Sequence, residues 1–303
     1  MTFSVIGFDP RDGSLGFASQ SHFFGVGSVV GRAEAGVGAV VSQAFANTDW
    51  PHLGLGLLRE GGSPDEVVRL LVAGDDLAEH RQLLVMDATG RSAAHHGRAC
   101  APAVSSAADV TSVAGGNMLA SAEVAPALLL GTPAGPDAPP LAHRLVAALR
   151  AGEDAGGDVR GSQSAVVSVV SGRRTATPWR EVLADLRVDD HPDPVAELER
   201  MLPLHEGFGA VGAALFAAPL VIGARAAVDP ALADAMLDRL AAAEDLLGDN
   251  REAALWRAVV ALRAGRTSLG REVLTALLRE RPALSGFVDG LVEVGILDAA
   301  DLR

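Results

Sequence analysis

Residues 1–20 have the sequence MTFSVIGFDPRDGSLGFASQ, and this stretch decides the fold of the first half of the chain. Residues 2–8 form an apolar run that predicts a β-strand, and residues 9–13 have the aspartate, proline and glycine composition of a tight turn. Residues 14–20 return as a second strand. The chain therefore opens with a predicted β-hairpin, which begins a β-rich first half.

Further strands and short helices are predicted after this hairpin. Apolar segments that suit strands lie at residues 26–30, 36–41, 82–87, 91–95 and 164–170, and the third and fourth of them predict a second hairpin. Helices are predicted at residues 63–72, 119–129 and 141–151. Strands and short helices together indicate an α+β domain.

The composition changes near residue 190, where a charged and proline-rich connector begins. Apolar residues then recur at helical spacing in the segments 231–247, 251–264 and 269–281. These helices resemble an antiparallel array of the tetratricopeptide (TPR-like) type, and a small bundle without repeats is an equal alternative. We predict an α+β domain over residues 1–190, a connector over 191–205 and an all-α domain over 206–303.

The charged residues exclude several classes of function. The chain of 303 residues carries 25 basic and 38 acidic side chains, and its net charge of −13 repels the phosphates of nucleic acids. The sequence contains no lysine, which excludes a Schiff-base lysine, a pyridoxal phosphate anchor and a Walker A motif. The single cysteine, Cys100, excludes an internal disulfide and a multi-thiolate metal site, and we expect a buried, unreactive thiol there.

Membrane insertion, metal binding and a cofactor are not expected either. Residues 207–224 carry no charge, but Pro219 interrupts them, which favours a pair of buried helices over a membrane span. The N-terminal segment lacks the basic region of a signal peptide, so a cytoplasmic location is expected. The eight histidines are scattered without the spacing of metal ligands.

Thr2 is the first candidate for chemistry. Initiator methionine is generally removed before a small residue, so the mature chain is expected to begin with Thr2. A free α-amine has a pKa near about 8 and can act as general base for the hydroxyl of the same residue. Taken alone, Thr2 is more simply interpreted as an ordinary first residue.

A second candidate is the segment 156–164, GGDVRGSQS, which precedes a predicted buried strand. Its glycines free backbone amides for a ligand, Asp158 and Arg160 are expected to form an ion pair, and Gln163 and Ser164 add neutral donors. A solvated loop ordered by the ion pair is the alternative.

Polar residues near other predicted element ends add weaker candidates. Asn117 is expected to cap the helix that begins at Leu119. The N-terminus of this helix would favour an oxyanion, and the alternative is that Asn117 serves only as a cap. Ser19-Gln20-Ser21-His22 ends the second strand, and Ser42-Gln43 ends a later one.

Taken in order along the chain, several motifs resemble the DUF1028 family of bacterial and archaeal proteins. They are MTFSV at 1–5, GVGAV at 36–40 with QA at 43–44, RQ at 81–82, GNML at 116–119, GGDVRGSQS at 156–164 and LRVDDHPDP at 186–194. The resemblance covers residues 1–202. Members of this family look like N-terminal nucleophile (Ntn) hydrolases, which implies a four-layer αββα sandwich. Some members carry a peptidoglycan-binding extension, which the all-α tail from Glu206 matches loosely.

The resemblance implies amide-bond hydrolysis by Thr2, with its own amine as the base. Asp158 and Ser164 are then expected near the α-amine, and Asn117 and the backbone at Ser42-Gln43 are the candidates for the oxyanion hole. The residues expected to bind substrate are Ser21, Gln43, Arg160 and Gln163.

The chain departs from the pattern of proteasome-like members of that superfamily in two respects. Those enzymes hold the amine with an acidic residue at the end of the second strand and with a lysine. Here the second strand ends in Ser19-Gln20-Ser21, and Arg32 is the candidate to replace the lysine. Arginine does not titrate as a proton shuttle, although it supplies positive charge.

Two functions therefore remain open. The first is an amidohydrolase that cleaves a small or peptide-like metabolite through Thr2 after removal of Met1. The second is a catalytically inactive binding or scaffold protein with the same fold, which the missing lysine favours. In both cases the expected partner is a small or peptide-like molecule, and the glycine- and valine-rich strand edges predict a homo-oligomer.

Overall fold

The structure is a computed structural model that describes residues 2–132 and 135–302, and it belongs to the predicted α+β class. It divides into two compact units, Met1–Leu202 and Pro203–Arg303, with the division inside one long helix. The strands are β1 Thr2–Phe8, β2 Leu15–Ser21, β3 Gly31–Glu34, β4 Gly38–Ala44, β5 Arg81–Asp87, β6 Ser92–His96, β7 Ser105–Ala108, β8 Ser112–Gly116, β9 Ser164–Val170 and β10 Val182–Val188. The helices are α1 Trp50–Arg59, α2 Pro64–Ala73, α3 Val124–Ala127, α4 Leu141–Asp154, α5 Pro194–Phe216, α6 Ala218–Val221, α7 Pro230–Leu247, α8 Glu252–Arg263, α9 Thr267–Glu280 and α10 Ser285–Glu293.

The predicted first hairpin lies at the centre of a six-stranded antiparallel sheet. β1 and β2 pair along their full length, from Thr2 opposite Ser21 to Phe8 opposite Leu15. The strand order β10-β9-β2-β1-β8-β7 places β8 on the other side of β1, with Phe3 opposite Gly116. The beginning of β1 therefore lies between the ends of β2 and β8.

Four antiparallel strands form a second sheet in the order β3-β4-β5-β6. The second predicted hairpin is confirmed as β5 and β6, with Gln82 opposite His96. Gln82 also lies opposite Gln43 of β4. Polar side chains thus occupy neighbouring positions at one end of this sheet.

The buried cores of the first unit explain which way these side chains face. The core between the two sheets contains Ile6 from β1 and Leu84 from β5. Successive side chains of a strand point to opposite faces, so Phe3 faces away from the second sheet and packs in a core with α3, α4 and the start of α5. The outer face of the second sheet packs against α1 and α2. Thr2 and Ser4, which share the face of Ile6, are directed toward the second sheet.

The second unit is built from helices. The three helices predicted after residue 230 are confirmed as α7, α8 and α9, and their apolar residues share one core. Arg263 of α8 is buried and donates hydrogen bonds to the carbonyl oxygens of Leu220 (3.0 Å), Gly223 (2.7 Å) and Ile296 (2.8 Å). No helix within the described ranges has the length and apolarity that crossing a membrane requires.

Two predictions of local structure are wrong. The helix expected at residues 119–129 is reduced to α3, and Asn117 does not cap it. Asn117 instead donates its backbone N–H and its side-chain N–H to the carbonyl oxygen of Thr2, at 3.3 and 3.4 Å, and the left-handed φ of 49° at Met118 turns the chain away from a helix. The segment 26–30 is a single 3-10 turn rather than a strand, because the N–H of Val26 bonds the Ser164 hydroxyl at 3.0 Å.

Candidate active site

Thr2 lies at the beginning of β1, where its side chain is directed between the two sheets. Only 8% of the residue is exposed, and its hydroxyl donates a hydrogen bond to the Ser21 hydroxyl at 3.1 Å. This contact follows from the hairpin register, which places Thr2 directly opposite Ser21. Met1, whose removal the sequence predicts, lies outside the described residues.

A chain of buried side-chain hydrogen bonds extends from β2 to β5 beneath Thr2. The Ser4 hydroxyl contacts the Ser19 hydroxyl at 2.7 Å and donates to Oε1 of Gln43 at 2.6 Å. Nε2 of Gln43 donates to Oε1 of Gln82 at 2.6 Å and to the carbonyl oxygen of Gly115 at 2.9 Å. Both N–H groups and the oxygen of Gln43 are thereby engaged, so this side chain positions its neighbours rather than presenting a group to a ligand.

Gln82 joins this chain of bonds to Asn117 and to the half-buried His96. Its Oε1 accepts a second bond from Nδ2 of Asn117 at 3.1 Å, and its Nε2 contacts Nδ1 of His96 at 2.8 Å. Because the amide nitrogen can only donate, Nδ1 of His96 accepts, which requires a neutral ring. Burial, followed by the charge of His95, lowers the pKa of His96 and favours that neutral form. The polar residues beneath Thr2 therefore carry no net charge.

Asn117 retains one unused group beside Thr2. Its Oδ1 is buried and has no hydrogen-bond partner among the described residues, whereas its nitrogen bonds the Thr2 carbonyl and Gln82. Buried polar atoms without partners are rare, and each one calls for an explanation such as a catalytic role or a bound molecule. An acceptor in this position suits an N–H donor on Thr2 or on a bound amide.

A cavity of about 260 Å³ opens beside Thr2. Its walls combine the turn after β2 with the end of β4 and are formed by Thr2, Phe23, Val26, Val29, Val30, Ser42, Gln43, Ala44, Ala46 and Thr48. Ala44 adopts a left-handed φ of 68°, which is costly for a residue with a side chain and recurs at functional sites. The Thr48 hydroxyl has no protein partner within the described part of the chain.

The predicted oxyanion donors at Ser42-Gln43 are already engaged. The backbone N–H of Ser42 donates to the carbonyl oxygen of Val30 at 2.8 Å, and the Ser42 hydroxyl accepts from the N–H of Asn47 at 3.0 Å. Of the sequence-predicted groups, only the amide of Asn117 therefore lies next to Thr2 with an unused atom.

Asp158, Arg160 and Ser164 gather around the turn that follows Ser21. Asp158 pairs with Arg160 at 3.2 Å and accepts from the N–H of His22 at 3.3 Å. The Ser164 hydroxyl donates to the carbonyl oxygen of Phe23 and accepts from the N–H of Val26. These bonds hold residues 22–26, part of the cavity wall, in place.

The remaining sequence candidates lie further from the Thr2 hydroxyl. Gln163 donates its side-chain amide to Asp190 at 3.1 Å and its backbone N–H to the carbonyl oxygen of Ser21 at 3.0 Å. Arg32 donates to the carbonyl oxygens of Gly31 and Ser28, and burial lowers its pKa. Gln20 is buried on the other face of β2, since it alternates with Ser19 and Ser21.

Cys100 is not among the described residues that line this cavity. Cys100 is half-buried rather than fully buried; its thiol donates to the carbonyl oxygen of Arg81, and burial raises its pKa. Among residues 2–132 and 135–302, no group of three histidine, cysteine, aspartate or glutamate side chains is arranged to hold a metal ion.

Sequence reasoning missed Ser4, Gln82, His96 and Thr48 as members of the site. Gln82 had a readable signal, since it is a glutamine at the start of the apolar strand sequence QLLVM. A buried strand keeps a polar side chain only where that side chain finds partners. Thr48 lies in an irregular segment and carried no comparable signal.

Comparisons with known proteins agree on one family. The model of DUF1028, a family of unknown function, matches residues 2–198. The crystal structure of protein SPO2555 from Silicibacter pomeroyi, of the same family, is 32% identical in sequence with a TM-score of 0.58, over 66% of this chain and 87% of that chain. No curated protein matches the chain.

Proposed function

Because the chain belongs to the DUF1028 family, whose function is unknown, we propose its activity from the site: an N-terminal nucleophile amidohydrolase that cleaves small amides through Thr2. The observation that carries the proposal is the Thr2 hydroxyl, which lies at the wall of a cavity and donates to the Ser21 hydroxyl at 3.1 Å. A nucleophile needs access to substrate, which the cavity provides, and a base for its proton, which would be the α-amine of Thr2 itself.

The layering of the first unit supports the same proposal. Two antiparallel sheets share a core, and each sheet has helices on its outer face. An αββα sandwich of the Ntn type would have this order of layers. Its nucleophile would be the first residue of a central strand, a position that Thr2 takes once Met1 is removed.

The reaction proceeds in two steps with Thr2 as the acceptor of the acyl group. In the first step Oγ1 attacks the amide carbonyl carbon, and the α-amine takes the hydroxyl proton. The tetrahedral intermediate then collapses, the C–N bond breaks, and the proton passes to the leaving amine. In the second step water attacks the resulting ester, again with the α-amine as base, and releases a carboxylic acid and free Thr2.

Asn117 is the residue best suited to assist this chemistry. Its unpaired Oδ1 can accept a hydrogen bond from the α-amine of Thr2 and so orient it, whereas both hydrogens of its Nδ2 are already donated, to the Thr2 carbonyl oxygen at 3.4 Å and to Gln82. Gln82 fixes the amide orientation by accepting from Nδ2 at 3.1 Å. Asn117 is therefore the residue that orients the α-amine, and Gln82 is a positioning residue.

A labelling experiment tests the nucleophile directly. The full-length protein is treated with a β-lactone, and the intact mass and peptide map are recorded. We expect loss of Met1 and one adduct per chain on Thr2, retained in Thr2→Ser and absent in Thr2→Ala. A matched control carries an uncleavable N-terminal extension, which keeps the Thr2 hydroxyl but blocks its amine, and it should not react.

The alternative is a binding protein that uses the same cavity without catalysis. One observation favours it: the acceptor of the Thr2 hydroxyl is the neutral side chain of Ser21. A retained Met1, or equal labelling of the extended control, would contradict the hydrolase and leave the binding protein as the better account.

A further inference from the structure

We propose that the cavity beside Thr2 is an acyl pocket selective for small, uncharged aliphatic amides. This inference deepens the proposed function and rests on it for the identity of the bound group as an acyl group. It concerns binding selectivity, however, so it can be tested separately from catalysis.

The volume of the cavity limits the length of the acyl group that it can hold. Its volume is about 260 Å³. With about 30 Å³ for each water molecule, this corresponds to roughly nine waters, and it lies below the range of about 300–1,000 Å³ that holds drug-sized ligands. The three heavy atoms of an amide group take the space of about three of these waters, which leaves room for an acyl chain of a few carbons.

The side chains that line the cavity determine whether a charged acyl group can bind. One side is apolar, with Val26, Val29 and Val30 from the turn after β2, and none of the described residues that line the cavity is charged. Removing an ionised carboxylate or ammonium group from water without a partner costs several kilocalories per mole or more. The cavity walls therefore favour aliphatic acyl groups over charged ones.

The polar groups at the cavity lie where an amide would need them. Thr2 and the exposed side chain of Thr48 both line it. Asn117 adds a buried acceptor next to Thr2. The chain tail of the substrate thus contacts valines, while its amide contacts the hydroxyl groups of Thr2 and Thr48.

The test measures binding of named amides to full-length Thr2→Ala, which cannot turn them over. Kd values for acetamide, propionamide, isobutyramide and isovaleramide are determined by saturation-transfer NMR, with succinamate as a charged ligand of similar size. We expect affinity to rise about fourfold per buried methylene, the fold-change that corresponds to about 0.8 kcal/mol, and succinamate to bind at least tenfold more weakly than isovaleramide.

Variants connect this selectivity to the cavity. Ala46→Leu and Val29→Phe fill it from two different walls and should each weaken isovaleramide binding at least tenfold. Ala94→Leu, on the exposed surface of β6, is the matched control and should bind as before. Equal affinity for succinamate, no dependence on chain length, or no effect of either filling variant overturns the inference.

The outcome separates this inference from the proposed function. Selective binding without β-lactone labelling of the wild type supports the pocket and contradicts the hydrolase. Labelling of Thr2 together with preferred binding and hydrolysis of succinamate supports the hydrolase and contradicts the selectivity for uncharged acyl groups.

Discussion

Gln43 offers a quantitative test of the polar chain beneath Thr2. In Gln43→Leu, three hydrogen bonds are lost, to Ser4 at 2.6 Å, Gln82 at 2.6 Å and the Gly115 carbonyl at 2.9 Å. Ser4 keeps Ser19 and Gln82 keeps Asn117, whereas the Gly115 carbonyl loses its side-chain donor. At about 1 kcal/mol net for each bond, we expect the unfolding free energy of the first unit to fall by about 2–4 kcal/mol.

Hydrogen exchange measured by mass spectrometry is the suitable assay, because the chain has two compact units and its unfolding need not be a single transition. The most protected amides of β4 and β5 report the change locally. Gln163→Leu is the matched control, since its amide makes one exposed bond to Asp190, and it should change the free energy by less than about 0.5 kcal/mol. A loss below about 1 kcal/mol in Gln43→Leu would refute the view that these bonds hold the two sheets together.

Three further predictions concern charge, burial and backbone strain. The lowered pKa of His96 means that the unfolded chain binds this proton more tightly, so stability is full above about pH 6.5 and falls as the pH drops below it. His96→Asn should flatten this part of the pH profile of thermal denaturation, and an unchanged profile would contradict the assignment. Arg263→Met leaves three carbonyl oxygens without their donor, one of them in a fully buried bond, and should cost about 3 kcal/mol in denaturation of the second unit, whereas Arg266→Met, which loses an exposed ion pair, should cost less than about 1 kcal/mol. Because Ala44 has a left-handed φ of 68°, Ala44→Val should destabilise the first unit more than Ala44→Gly, and equal melting temperatures would argue against strain there.

The elements that sequence reasoning predicted well are those whose pattern is local and strong. The first hairpin has an apolar run followed by a turn composition, and the helices α7, α8 and α9 have apolar residues at a spacing of about 3.6 residues and recognisable ends. Helix α1 was missed because WPHLGLGLLR contains two glycines, which lower helix propensity. Packing of Trp50 and Leu58 against the second sheet compensates for that cost.

The candidate site was harder to predict because its residues meet through pairing between distant strands. The predicted strands 2–8 and 14–20 would place Thr2 opposite Gln20, and the observed register differs by one residue and places it opposite Ser21. Gln43 and Gln82 come together only through the register of β4 with β5, and β1 and β8 bring Asn117 to Thr2. Asn117 bonds the Thr2 carbonyl oxygen through its backbone and its side chain instead of capping a helix at residue 119. The same two bonds make Asn117 part of the site.

Under the proposed function, the neutral surroundings of Thr2 can take over one role of the missing lysine, which is to keep the α-amine unprotonated. A lysine near an N-terminal nucleophile would help to keep the α-amine unprotonated by adding positive charge. The described hydrogen-bond partners of Thr2 are the neutral and fully buried residues Ser21 and Asn117, while the carboxylate of Asp158 is paired with Arg160. Burial among neutral groups disfavours the charged form of an amine in the same direction as a nearby cation. Under the proposed function, a neutral and buried site can therefore supply the free amine that the reaction needs without any lysine.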